Sequence, residues 1–349
     1  MKKMIACFLL CIISLMAVAC TTFVINKDGH IVFGRNYDWI TDAGIVNTNQ
    51  RGLYKTSLKN NDGATISWVS KYGSITFNQY GKEFPTGGMN EKGLVVELMW
   101  LDETKYPEKD ERPSVNVLQW IQYQLDNCTT VEEIIKSDAA LRIENRGVPL
   151  HYLVADANGN AATIEFLEGK MVVHKDKELS FPVLTNSTYT SSVNAENNYL
   201  KSNRLPNNNS LERFVTACNM IQQLNTDKTN TPVTDYAFSI LNKVSQGDYT
   251  KWSIVYDITD KEIHFKTQSN RDIKIIRFNG FDFSCSSLPK MYNMNQQDKG
   301  NITAKFVLPD KELKRNIIAR AVAESSKDVH ISDEEKERML TYEESVRCK

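Results

Sequence analysis

The chain has 349 residues, with 42 Lys or Arg against 43 Asp or Glu, a formal net charge of −1, and 41% hydrophobic residues. That balance, with no basic stripe, excludes an electrostatic nucleic-acid binder, and the length suits one large domain or two ordinary ones. Of seven cysteines, the five from Cys20 onward are widely spaced, which excludes a small disulfide scaffold.

The first nineteen residues read as a secretory signal: Lys2 and Lys3, an apolar run from Met4 to Met16, then the small residues Ala17-Val18-Ala19. The run is shorter than a membrane anchor needs. The expectation is a signal peptide over 1–19 and a single domain over 20–349, exported to the periplasm or secreted, with no stable membrane insertion. Cys20 to Ile25 and His30 to Tyr37 read as strands joined at Asn26-Lys27-Asp28-Gly29, because Asp-Gly accepts the positive φ of a tight hairpin. Strands are expected at Thr65–Val69, Ser74–Asn78 and Leu94–Trp100, the last preceded by a turn over Gly87–Gly93. Pro113-Ser114 opens a helix over Val115–Leu125, and Thr130-x-x-Glu133 has the form of a capping box. Strand character returns at Tyr152–Ala155, Thr163–Phe166 and Met171–His174. Helices are expected over Leu211–Leu224 and Val233–Val244, then a meander of Trp252–Asp257, Glu262–Lys266 and Asp272–Phe278. From about 310 to 349 the pattern is charged and helical, over Lys311–Ala323 and Asp333–Val346, and reads as a solvated surface tail. Strands and helices in separate runs indicate an α+β layered domain.

Cutting after Ala19 makes Cys20 the first residue, with a thiol and a free α-amine on one carbon atom's reach. A two-residue hairpin loop pairs Thr22 with Arg35 and Cys20 with Tyr37, whereas a four-residue loop sets Cys20 opposite Arg35. Either register brings Arg35 and Asp38 close to Cys20. A cation lowers a thiol's pKa from about 8.5. An α-amine, with a pKa of about 7.7–8.0, can take the thiol proton and return it to a leaving amine. His30, His151, His174, His264 and His330 are isolated and show no metal-ligand spacing, so no metal or cofactor is expected. A Cys–His pair assembled in space, with His151, is a second arrangement. A third is a lipoprotein acylated at Cys20, which Thr21 opposes by leading straight into a strand.

Cys20-Thr21-Thr22 followed by Gly34-Arg35-Asn36-Tyr37-Asp38-Trp39 resembles the opening of the choloylglycine hydrolase family of N-terminal nucleophile hydrolases. Gly88-Met89-Asn90-Glu91-Lys92-Gly93-Leu94, Val183-Leu184-Thr185-Asn186-Ser187 and Ser210-Leu211-Glu212-Arg213-Phe214 resemble its later motifs, in the same order. The resemblance implies an αββα sandwich, often oligomeric, so a homo-oligomer is an open expectation. It implies hydrolysis of linear amides of small molecules: penicillin V-type, fatty-acyl or bile acid conjugates. The implied catalytic residues are Cys20 as nucleophile, Arg35 and Asp38 as its partners, Asn186 as oxyanion donor and Arg213 as electrostatic support. Trp39, Trp100 and Asn90 are the expected substrate contacts. Trp100 stands where Gram-positive bile salt hydrolases of the family have asparagine, which tilts the reading away from a dedicated bile salt enzyme.

Overall fold

The structure is a computed structural model that describes residues 20–59, 64–145, 147–226 and 231–349. The expected signal peptide lies outside the described residues. Among them, no helix is long and apolar enough to cross a membrane.

Two large sheets face each other. The first has seven strands in the order Val183–Leu184, Thr21–Lys27, His30–Asp38, Thr250–Asp257, Glu262–Thr267, Lys274–Arg277 and Gly300–Asn301. The second has eight: Lys170–Lys175, Ala161–Leu167, Leu150–Ala155, Val95–Trp100, Pro85–Asn90, Ser74–Asn78, Ile45–Asn49 and Met291–Asn293. Between them Phe77 of the second sheet meets Phe265 and Tyr256 of the first, edge to face, at centroid distances of 5.5 and 6.1 Å. Strands that bury both faces read as apolar runs rather than alternating ones, as VVELMW at Val95–Trp100 illustrates.

Helices α1 (Val117–Asn127) and α2 (Val131–Ser137) precede the Leu150–Ala155 strand, and α1 packs on Pro85–Asn90 and Val95–Trp100. Helices α3 (Tyr189–Ser202), α4 (Asn209–Thr226) and α5 (Val233–Lys243) lie on the other side, where α4 and α5 pack on Thr21–Lys27 and α5 also on His30–Asp38 and Thr250–Asp257. The layers are therefore helix, sheet, sheet, helix, the αββα sandwich expected from the sequence.

The hairpin takes the two-residue loop: Lys27 pairs with His30, Thr22 with Arg35 and Thr21 with Asn36. Asp28 (φ 54°) and Gly29 (φ 84°) occupy the left-handed conformations that such a turn requires. Helix α1 begins two residues later than expected. Ser114–Val115 pairs with Arg142–Ile143 as a short parallel ladder, and the Asn116 side chain caps the helix by accepting from the N–H groups of Leu118 and Gln119. The capping box at Thr130 and Glu133 is present. Helix α3 and the strands Ile45–Asn49, Leu53–Thr56 and Met291–Asn293 are among the elements that went unforeseen, and the turn expected over Gly87–Gly93 is strand as far as Asn90.

The C-terminal segment corrects the expectation of a solvated tail. Helix α6 (Lys311–Ser325) buries Ile317, Ile318 and Ala321 against the body, and α7 (Asp333–Thr341) follows it. Arg320 pairs with Asp42, and Tyr342, 6% exposed, donates to the Thr56 carbonyl at 2.7 Å. Beyond α7 the chain adds Arg347–Cys348 to the edge of Leu53–Thr56. There Cys348 is bonded to Cys285, with a Cα–Cα separation of 5.6 Å. Charge alone reads as solvated, but here several of the charges are paired and the apolar face of α6 is covered.

Candidate active site

Cys20 opens the Thr21–Lys27 strand at 2% exposure, and its thiol lies 3.8 Å from the Asp38 carbonyl oxygen, which it can donate to. Its own carbonyl accepts from Arg213, which also donates to Thr21 Oγ1 at 2.6 Å. The other end of that guanidinium donates to Asn186 Oδ1 at 3.0 Å. Asn186 Nδ2 in turn donates to the Trp100 carbonyl at 2.8 Å. These two bonds fix which end of the Asn186 amide is the donor. One α4 residue thus joins the start of the first strand to the Asn186 turn, and the geometry brings Cys20, Asn186 and Arg213 together.

Arg35 is fully buried between the sheets. It pairs with Glu97 of the facing sheet and donates to the carbonyls of Thr86 (3.0 Å) and Leu98 (3.1 Å). Glu97 also accepts from the Tyr256 hydroxyl. Gly87, just before the second motif, is explained by this pair, because a Cβ there would sit 1.9 Å from a Glu97 carboxylate oxygen. Glu97 is a site residue that the sequence reading did not single out; a carboxylate inside the apolar run VVELMW was the available signal. Asp38 accepts from the Thr250 hydroxyl through Oδ1, while its buried Oδ2 has no hydrogen-bond partner among the described residues.

The electrostatics follow from burial. Enclosure pushes the Cys20 thiol up, Arg35 and Arg213 pull it down, and Asp38 opposes them. Burial lifts Asp38 to about 7 against the pull of Arg213, the Thr250 hydrogen bond and Arg35. Burial lowers Arg213, opposed by Asp38 and Cys20.

A cavity of about 450 Å³ opens at the Cys20 thiol and is lined by Trp39, Trp100, Tyr80, Leu98 and Leu118 among others. Trp39 and Trp100 are 6.3 Å apart between centroids. The Trp39 indole donates to Tyr80 at 3.2 Å, whose hydroxyl donates to Ser325 of α6 at 3.1 Å. Asn90 is a correction: it does not line the cavity. Its carboxamide donates to the Leu125 and Cys128 carbonyls and accepts from the N–H groups of Lys92 and Leu94, so it staples the turn after Pro85–Asn90 to the end of α1. His151 is not beside the thiol either; its ring is held by the Thr185 carbonyl (2.7 Å) and Glu165 (3.3 Å). His30, Asp257 and Asp260 place ligand atoms within 4.8 Å of one another in a separate surface hollow. There His30 and Asp257 already bond each other at 2.9 Å.

The αββα sandwich is the fold of the N-terminal nucleophile hydrolases. The chain belongs to the linear amide C–N hydrolases of the choloylglycine hydrolase family, whose family model matches residues 20–209. It is 32% identical over 242 residues to a penicillin V acylase of Pectobacterium atrosepticum, a match covering 62% of this chain and 63% of that protein's length. The penicillin V acylase from Agrobacterium tumefaciens superposes with a TM-score of 0.73 at 25% identity, over 83% of this chain and 98% of that one. A conjugated bile acid hydrolase from Clostridium perfringens superposes with a TM-score of 0.67 at 18% identity, over 78% of this chain and 97% of that one, a likeness of fold.

Proposed function

We propose that the chain, once cut after Ala19 and exported, hydrolyses linear amides of apolar acyl groups, penicillin V-type amides first among them, through a thioester on Cys20. The observation that carries this reading is the Arg213 bridge, which holds the Cys20 carbonyl and the Asn186 carboxamide at the mouth of an aromatic cavity. The thiol gives its proton to the Cys20 α-amine and the sulfur attacks the amide carbon. The second N–H of Asn186 stabilises the oxyanion, and Arg213 holds that carboxamide in place. The leaving amine takes the proton from the α-ammonium. Water then enters, giving a proton to the α-amine and cleaving the thioester to free the acid and the thiol.

Asp38 supplies the counter-charge: Oδ2 is the buried acceptor for the ammonium that chain cleavage creates. Arg35, neutralised by Glu97, holds the strand register and tempers the thiol rather than acting as a free cation. Trp39 and Trp100 receive the acyl group. The likeness to two penicillin V acylases at 32% and 25% identity supports this substrate class over conjugated bile acids, where the likeness falls to 18%. A lipid on Cys20 is disfavoured by its 2% exposure at the head of an inner strand, which leaves no tether.

The test pairs protein beginning at Cys20 with its Cys20→Ser form on penicillin V, glycine- and taurine-conjugated bile acids and neutral N-acyl amides. Released amine is measured, with the N-terminal mass of each preparation. Release from penicillin V that the serine form loses supports the reading. Equal release by both forms, or a diacylglyceryl mass on the native terminus, overturns it.

A further inference from the structure

The far wall of the cavity comes from the C-terminal arm, residues 311–349, which lies outside the segment matched by the family model. Val329, Ile331 and Met339 continue the apolar lining, and His330, Glu335 and Arg338 add charge or polarity to it. The carboxylate of Glu335 is engaged by the α7 cap, accepting from Ser332 N–H (3.0 Å) and Oγ (2.9 Å). Arg338 differs. The residue is half-buried, its Nε is enclosed without a hydrogen-bond partner, and its side chain has no hydrogen bond or ion pair among the described residues. Its neighbours show what α7 does with a charge that has no task in the cavity: Lys336 pairs with Asp333, and Glu337 pairs with Arg315.

A buried guanidinium nitrogen left without an acceptor is costly. The planar fork of arginine matches a carboxylate, two N–H groups to two oxygens. We infer that Arg338 is a specificity-determining residue, and that the preferred amide carries a carboxylate which Arg338 binds while the apolar part of the substrate fills the cavity and the amide reaches Cys20. This rests on the amidase reading above and narrows its substrate class to anionic amides. The carboxylate could sit on the leaving amine, as in an N-acylglycine, or at the distal end of the acyl chain, as in a monoamide of a dicarboxylic acid. Both present the same group to Arg338.

The experiment compares N-(phenoxyacetyl)glycine with N-(phenoxyacetyl)glycinamide, and the monoamide of suberic acid with its methyl ester. The proteins are wild type, Arg338→Gln and Arg338→Lys. The anionic member of at least one pair is expected to have the higher kcat/KM in wild type by about tenfold. Arg338→Gln should erase that ratio, mostly through KM, and Arg338→Lys should keep part of it. The ratio should also shrink with added salt. The responding pair tells which side of the amide carries the charge. A ratio that Arg338→Gln leaves intact, or no preference in either pair, overturns the inference. The same pairs are titrated by calorimetry onto Cys20→Ser protein with and without Arg338→Gln, so the preference is read as binding even if no amide is turned over. Selective binding without turnover would sink the amidase reading and keep the Arg338 site. Turnover without selectivity would do the reverse. Melting temperatures of the variants matched to wild type certify the fold.

Discussion

The two walls of the cavity are built in opposite ways. The hairpin wall, with Cys20, Tyr37 and Trp39, comes from contiguous chain, and its side chains are locked by sheet pairing and by buried ionic contacts that cross between the sheets. The arm wall comes from residues some three hundred positions later, held by the apolar face of α6, one disulfide, a two-residue strand and ion pairs at or near the surface. A reacting group needs the first kind of support, since catalytic geometry tolerates little looseness. A wall that only sorts substrates can rest on the second. If that division is right, damage to the first wall removes turnover or the fold, and damage to the second changes selectivity.

The largest effect is expected from Glu97→Gln. It leaves Arg35 buried with the carbonyls of Thr86 and Leu98 but without a counter-ion. Removing one member of a buried pair costs about 3–5 kcal/mol. Denaturant unfolding should register that loss, and a change under 1 kcal/mol would show that the pair does not hold the sheets together. Next is Asn186→Ala, for which a fall in kcat of about 10²–10³ is expected at little cost in KM. A loss confined to KM would make Asn186 a substrate contact rather than an oxyanion donor.

The same contrast explains what could be read in the sequence. Asp28-Gly29 marks the hairpin from local chain alone but leaves two registers open, and the structure settles on the one that sets Thr22 against Arg35. The motif around Asn186 is readable as a motif, but the Arg213 bridge to Cys20 is a tertiary fact. Asn90 misled because it sits in a family-like motif while its carboxamide is consumed by turn and helix-end backbone groups. Helix α3 was hidden because its buried face is Tyr189, Ser192, Ala195 and Glu196, a set with little apolar periodicity. The helices of the arm were legible but their packing was hidden for a related reason: α6 buries Lys314 among its apolar positions, where Glu343, far along the chain, pairs with it. Pairing across long sequence separation leaves no local trace.

Cys348→Ser tests the arm wall. The bridge to Cys285 closes a loop of 63 residues, and native bridges contribute about 2–4 kcal/mol. Amides of the arm should lose hydrogen-exchange protection while those of Thr21–Lys27 keep theirs, and the preference for anionic amides should fall a few-fold with hydrolysis retained. Uniform loss of protection across both walls would erase the distinction between them.

The smallest expected effect lies outside both walls, at Glu196 on α3. Its carboxylate is fully buried, neither oxygen has a hydrogen-bond partner among the described residues, and burial lifts its pKa to about 7. The folded chain therefore holds the proton up to about pH 7, whereas the unfolded chain releases it near 4.5. Between these values the unfolded state binds fewer protons, so stability falls as pH rises through that window and is flat above it. Glu196→Gln keeps the shape and removes the titration. It should be neutral below pH 4 and stabilising above pH 7. Urea midpoints at pH 4 and pH 8 read the difference directly. An equal shift at both values would mean that packing, not the buried charge, sets the cost of this residue.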